Sequence, residues 1–381
     1  MSICIKSDCI ITPRGLFSGY LSAEKGKISA ISDKAPENAE VIDMTGKYVS
    51  PGFIDIHTHG GGGYSFTESS ADDIIKGCEF HLAHGTTSIV PTVTTGAFDV
   101  MREAALNIKA VRDGGSCRAN VLGVHMEGPY LSPDQCGAQC PEHITAPREE
   151  EYTDLLYELG NALVRWTYAP ERDEGGKFCE FMTQNGVLAS AGHTNAKYEH
   201  MKTAIDAGCG LVTHLYSCTS TVTRDRGFRS LGVIESTFLR DELCAEIIAD
   251  GKHLPPELVR MIVKIKGESR VIAVTDSLSI AGSPETSGVM SGVEYIVEDG
   301  VAKLCDRSAC AGSVATMDML LNVLVNECDF SIVRAVKLMS ENPARILGLN
   351  KGRLEVGLDA DIVCFDHKLN VTDVFVGGRK I

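Results

Sequence analysis

The chain has 381 residues, 44% hydrophobic and 23% charged, the balance of an ordinary globular protein. Its net charge of -15 excludes nucleic acid and anionic membrane surfaces as partners, since both demand a basic face. An anionic small molecule remains admissible, because it needs only a local basic cluster.

No basic segment followed by a long apolar core opens the chain, and no window approaches the run of ~20 apolar residues of a membrane helix. A cytoplasmic location is therefore expected. Fourteen cysteines are scattered from Cys4 to Cys364, and there they are expected to be reduced. Cys136 and Cys140 form the one close pair, with no second pair of zinc-site spacing to accompany them.

Residues 1–49 carry short alternating runs, CIITP, LFSGYLSAEKGKISAISD and AEVIDMTGKYVS, which predict small antiparallel strands. Next comes FIDIHTHGGGG, Phe53 to Gly63. Side chains alternate along a strand, so His57 and His59 project to one face at its end. Two imidazoles so placed suit a divalent metal, and the glycines are expected to let the backbone approach it.

Residues 50–345 alternate short apolar strands with helical stretches. The strands are FIDIHTH, TTSIVPTV, NVLGVHMEG, VRWTYAPE, GVLASAGHT, LVTHLYS, CAEIIAD and RVIAVTDS. Amphipathic segments such as ADDIIKGCEFHLAHG and PPELVRMIVKIKG lie between them. Eight such strands suit a closed barrel better than an open sheet, and no G-x-G-x-x-G follows the first. The C-terminal GRLEVGLDADIVCFDHKLNVTDVFVGGRKI returns to the texture of the N-terminus. The predicted architecture is α/β: a (β/α)8 TIM-type barrel over 50–345, and a small discontinuous β-sandwich domain from 1–49 and 346–381.

Barrel enzymes place their chemistry at the C-terminal ends of the strands. There this chain puts His57 and His59, Glu127, His193, His214, His253 and Asp276. The imidazole and carboxylate set suits zinc, iron, manganese or cobalt, zinc first. His57, His59, Glu127, His193 and His214 exceed the needs of one ion, which suggests two, with Glu127 bridging. Asp276 is a ligand, or it takes the proton from a metal-bound water. His253 is left over and is assigned to substrate.

PGFIDIHTHG (51–60), HMEGPYLSP (125–133), YAPE (168–171), AGHTNA (191–196), THLYS (213–217), DGKH (250–253), VTDS (274–277), AGS (311–313) and GLDADIV (357–363) occur in that order. With this ordered set the chain resembles the amidohydrolase superfamily and, within it, the N-acetylglucosamine-6-phosphate deacetylase family. The resemblance implies a metal-dependent hydrolase of amino-sugar catabolism. Its reaction converts N-acetylglucosamine 6-phosphate to glucosamine 6-phosphate and acetate. Glu127, His193 and His214 match the family's principal metal ligands, and His57 and His59 the pair that some members use for a second ion. Asp276 matches the general base and acid. His253, Ala138 and the loop 310–313, with Ala311, Gly312 and Ser313, match substrate-contacting positions. The family also implies a homodimer whose subunits exchange a phosphate-binding arginine.

Departures from the family pattern cluster on the substrate side. Gln139 stands where the family has a substrate-contacting histidine; its amide can donate but carries no charge. His143, four residues on, is the alternative occupant. Ser217 and Cys218 replace an Asn-Ala pair that contacts phosphate, leaving the Cys218 backbone N–H. Arg224 and Arg226, in TRDRGFRS, lie near the place of the exchanged arginine, and such a cluster suits bidentate phosphate binding. An amidohydrolase acting on N-acetylgalactosamine 6-phosphate, an unphosphorylated amino sugar or an N-acyl amino acid is the second possibility. A non-catalytic sugar-binding protein is the third; it would be expected to shed Asp276 or a ligand first, and all are present.

Overall fold

The computed structural model describes residues 2–37 and 39–381, with the side chains of Ser2 and Asp225 outside that description. Its central nine-stranded sheet consists of the short Asn120–Val121, paired with Thr86–Thr94, and eight barrel strands, Phe53–Thr58, Thr86–Thr94, Val124–Glu127, Leu163–Tyr168, Leu188–Ala191, Leu211–Val212, Cys244–Ile248 and Val271–Val274. The eight barrel strands follow one another around the sheet in chain order, and each adjacent pair is parallel. The first and last also meet: the Asp276 N–H donates to His57 O at 2.9 Å, and the His59 N–H to Ser277 O at 2.8 Å. This is the expected barrel, strand for strand.

The strand residues are almost all buried, as a parallel sheet covered by helices requires. Outside lie the helices. Ala71–Ala83 starts at Ser70, whose hydroxyl accepts the Asp73 N–H, and Phe98–Gly114 ends on Gly115 at φ 64°. Core packing reaches the site directly. Trp166 stacks on Tyr130 at 5.5 Å, and its Nε1–H donates to Gly128 O at 2.8 Å, pinning the turn that follows Glu127.

A second sheet draws strands from both ends of the chain. Its neighbours run Arg379–Lys380, Val371–Val376, Ile362–Phe365, Tyr48–Pro51, Ser2–Thr12, Gly15–Glu24 and Lys27–Ser32, with Val41–Asp43 beside Ser2–Thr12. Leu21 and Ile28 from one end share a core with Ile362 and Phe375 from the other, so the sheet folds over on itself like a sandwich. Ile362–Phe365 pairs antiparallel with Tyr48–Pro51, directly before the first barrel strand. Gly52 makes the crossing between the two; a Cβ there would lie 2.1 Å from Thr87 Oγ1, so any side chain would have to displace Thr87.

Two elements depart from the expected pattern. After the eighth strand comes a four-stranded antiparallel sheet, Ser287–Met290, Val293–Glu298, Val301–Leu304 and Cys310–Gly312. Positions 310–312, expected in a loop, are its edge strand. The arginine loop is a hairpin of Thr223–Asp225 with Phe228–Ser230.

Candidate active site

The predicted strand-end residues converge. Glu127 closes the third strand, and His193, His214 and Asp276 lie two residues past the fifth, sixth and eighth. These three adopt φ of 46°, 28° and 49°, a strained region for non-glycine residues that turns each side chain inward. Glu127 Oε1 lies 3.2 Å from His193 Nε2, 3.1 Å from His214 Nε2 and 3.4 Å from His57 Nε2. Glu127 Oε2 lies 3.1 Å from His59 Nε2. Asp276 Oδ1 stands 3.4 Å from His57 Nε2 and 3.2 Å from His59 Nε2. Two donor clusters result, Glu127 with His193 and His214, and His57 with His59 and Asp276, all buried.

The far side of each ring is anchored. His193 Nδ1–H donates to Gln135 O at 2.9 Å, His214 Nδ1–H to Ser217 O at 3.1 Å, and His57 Nδ1–H to Glu246 Oε1 at 2.8 Å. Carbonyls and carboxylates only accept, so in these rings Nδ1 carries hydrogen and Nε2 faces the centre. His59 Nδ1 meets Thr94 Oγ1 at 2.8 Å. His57 Nε2 is buried without a hydrogen-bond partner.

Burial disfavours charge on His57, yet Glu127, Asp276 and Glu246 outweigh it and hold its pKa at about 10. Burial likewise opposes ionisation of Glu127 and Asp276, but the imidazoles, His57 foremost, keep both below the usual carboxylate range. The centre therefore attracts positive charge between its Nε2 atoms and its carboxylate oxygens. Divalent zinc, manganese, iron or cobalt suits such a nitrogen and oxygen set, and the unpartnered His57 Nε2 fits a metal donor.

A cavity of about 180 Å³ opens onto these groups. Of the expected substrate residues, Ala138, Gln139, Ser217, Cys218, His253, Ala311 and Gly312 line it. His253 Nδ1 is held by Asp250 Oδ2 at 2.8 Å. Ser313 does not reach the cavity; it is buried behind Asp276, donating its N–H to Asp276 O at 2.8 Å and its hydroxyl to Thr275 O. Arg224 and Arg226 sit exposed on the hairpin and do not line the cavity, nor does His143. The four glycines also lie outside it: Gly62 and Gly63 bond Ala281 O and Ser279 O, so they dock the first strand's exit onto the segment after the eighth. A larger cleft of about 460 Å³ lies away from these residues, and two of its cations, Arg334 and Arg353, are paired with Glu268 and Glu355.

Sequence reasoning missed Glu246 and Arg165. Glu246 Oε2 pairs with Arg165 Nη1 inside the barrel, both fully buried. Each sits in a strand that reads as an apolar run, CAEII and LVRWTY.

The chain belongs to the amidohydrolase family, whose model matches residues 48–381. Its similar curated proteins narrow the class. The N-acetylglucosamine-6-phosphate deacetylase of Lysinibacillus sphaericus is 31% identical over 360 residues, 93% of this chain and 91% of that protein. The human protein of the same name is 30% identical over 351 residues, 89% and 84% of the two chains. Among solved structures, the Pasteurella multocida deacetylase superposes with a TM-score of 0.93 at 29% identity, covering 100% of both chains. An aspartate-to-alanine mutant of the Mycobacterium smegmatis enzyme, in complex with N-acetyl-D-glucosamine-6-phosphate, gives 0.92 at 30% identity, covering 100% and 99%.

Proposed function

We propose that this protein hydrolyses the acetamido bond of N-acetylglucosamine 6-phosphate, releasing acetate and glucosamine 6-phosphate. The observation that carries this reading is the placement of Asp276, at the floor of the cavity and 3.2 Å from His59 Nε2, beside Glu127 and its imidazoles. Glu127, His193 and His214 are the residues to hold one divalent ion, and His57, His59 and Asp276 a second; zinc suits the imidazole-rich set, and its chemistry there is Lewis acidity toward water and the amide carbonyl.

The protein's own groups move the proton. Asp276 is ionised at neutral pH, since its pKa is lowered, so it can accept a proton from the attacking water. It then returns that proton to the nitrogen of the departing amine. His253, braced by Asp250, is a fixed contact for the sugar. The surrounding burial excludes bulk water and strengthens each of these interactions.

Among the described residues, no arginine or lysine lines the cavity of a single chain. We therefore assign the phosphate to Arg224 or Arg226 of a second copy in a homodimer, consistent with their exposure on a projecting hairpin. A cytoplasmic setting accords with a sugar-phosphate substrate. No helix among the described residues is long and apolar enough to cross a membrane. The same lack of a cavity cation favours one second reading, an unphosphorylated N-acetyl amino sugar. Acetate release from N-acetylglucosamine with and without its 6-phosphate separates the two. Strong preference for the phosphorylated sugar supports the first reading; equal turnover supports the second.

A further inference from the structure

The four ring-anchoring contacts around the centre are not equivalent. His193 and His214 lean on backbone carbonyls, and His59 on a threonine hydroxyl. His57 alone leans on a carboxylate, Glu246 Oε1, at 2.8 Å. That carboxylate is fully buried in the seventh strand and also accepts the His214 N–H at 3.1 Å.

Behind it stands Arg165, fully buried in the fourth strand. Arg165 donates to Glu246 Oε2, to Ile56 O at 3.0 Å, to Ser190 Oγ at 3.1 Å and to Thr213 Oγ1 at 3.0 Å. A buried ion pair is a weak source of stability, because desolvation of both ions opposes their attraction. A fully bonded pair at this depth therefore asks for another purpose.

Its effect on His57 supplies one. The carboxylate can only accept, so it holds hydrogen on Nδ1 and directs Nε2 toward Asp276 Oδ1 and Glu127 Oε1, each 3.4 Å away. A ring nitrogen facing two carboxylate oxygens needs positive charge between them, either a proton on Nε2 or a metal ion that takes its place. Ring orientation and basicity are both set by such outer partners.

We propose that Glu246, held by Arg165, is the positioning residue that commits the His57, His59 and Asp276 cluster to binding a second divalent ion. This rests on the proposed metal chemistry. Without that carboxylate the cluster loses its fixed ring, while the rings of His193 and His214 keep their own carbonyl anchors on Gln135 and Ser217.

The test is a zinc titration of the full chain, stripped of metal, against a chromophoric chelator, with zinc content measured after dialysis. Two variants are compared with the parent. Glu246→Gln removes the charge; Glu246→Asp keeps a charge opposite Arg165 but withdraws the oxygen from His57. We expect two ions in the parent, and in both variants the weaker one loosened by about 10- to 100-fold with the tighter one unchanged. Two ions with unaltered affinities in folded Glu246→Asp overturn the inference and leave the proposed function standing. One ion in the parent does the same, as does loss of both ions from a variant that melts like the parent. No ion in the parent overturns the inference and the proposed function together.

Discussion

Gln139 Nε2 donates to Glu127 Oε2 at 2.7 Å, while Gln139 Oε1 accepts the Thr95 N–H at 2.8 Å. The amide is thus committed at both ends, to a metal-candidate carboxylate and to the backbone after the second strand. Its position corresponds to a substrate contact in the family pattern; its bonds are those of a support for Glu127.

Gln139→Ala is therefore expected to lower kcat and zinc affinity by about 10- to 100-fold, with KM near the parent value. Steady-state kinetics with the phosphorylated sugar make the check. A rise in KM at constant kcat would falsify the supporting role and return Gln139 to the substrate.

Asp276→Asn retains the shape of the side chain but cannot take a proton. Turnover should fall by about 100- to 10,000-fold. Zinc bound by Glu127, His193 and His214 should persist, since that cluster does not include Asp276. Near-parental turnover in the zinc-loaded variant removes Asp276 from the proton path.

His81 offers a pH prediction outside the two donor clusters. Burial lowers its pKa from 6.5 to about 4, although its Nε2–H bond to Gly60 O at 2.8 Å partly opposes this. Between those values the unfolded chain binds a proton that the folded chain refuses, so this contribution is complete above pH 6.5 and is lost as pH falls toward 4. The full effect is about 3 kcal/mol at most. Urea melts of the parent and His81→Gln over that range should differ in slope, the variant being flatter. Parallel slopes would show that His81 titrates alike in both states.

At Gly52 the prediction is steric. Gly52→Ala drives a Cβ against Thr87, and overpacking of this kind costs about 1–3 kcal/mol. Thr87→Ala in the same chain should recover part of the loss, because it removes the hydroxyl and methyl that clash. Denaturant midpoints of the two single variants and the double variant measure the coupling.

The barrel and the polar residues gathered at its strand ends were legible because each signal is local. A strand followed by a lone histidine or carboxylate is visible within a few residues, and repetition at His57, Glu127, His193, His214 and Asp276 made it specific. Glu246 and Arg165 were not legible. They lie on strands seven and four, 81 residues apart, and meet only across the closed barrel. Ser313 follows the cavity residues Ala311 and Gly312 in sequence, but its N–H and hydroxyl bond the backbone of Asp276 and Thr275, which holds it behind the eighth strand's end. The antiparallel sheet after the eighth strand was readable in principle. Ser291-Gly292 and Asp299-Gly300 both have positive φ at each residue, the two-residue hairpin geometry that such pairs favour, and Arg226-Gly227 closes the arginine hairpin the same way.

The pairing of Ile362–Phe365 with Tyr48–Pro51 has a consequence for synthesis. The segment that leads into the histidine strand leaves the ribosome early, and its neighbour on one side leaves near the end. A nascent chain halted short of residue 362 presents Tyr48–Pro51 with a bare edge one glycine away from the strand of His57. Such an edge is a template for pairing with other chains. Translation must run nearly to completion before Tyr48–Pro51, the strand that leads into the first histidines, is paired on both flanks.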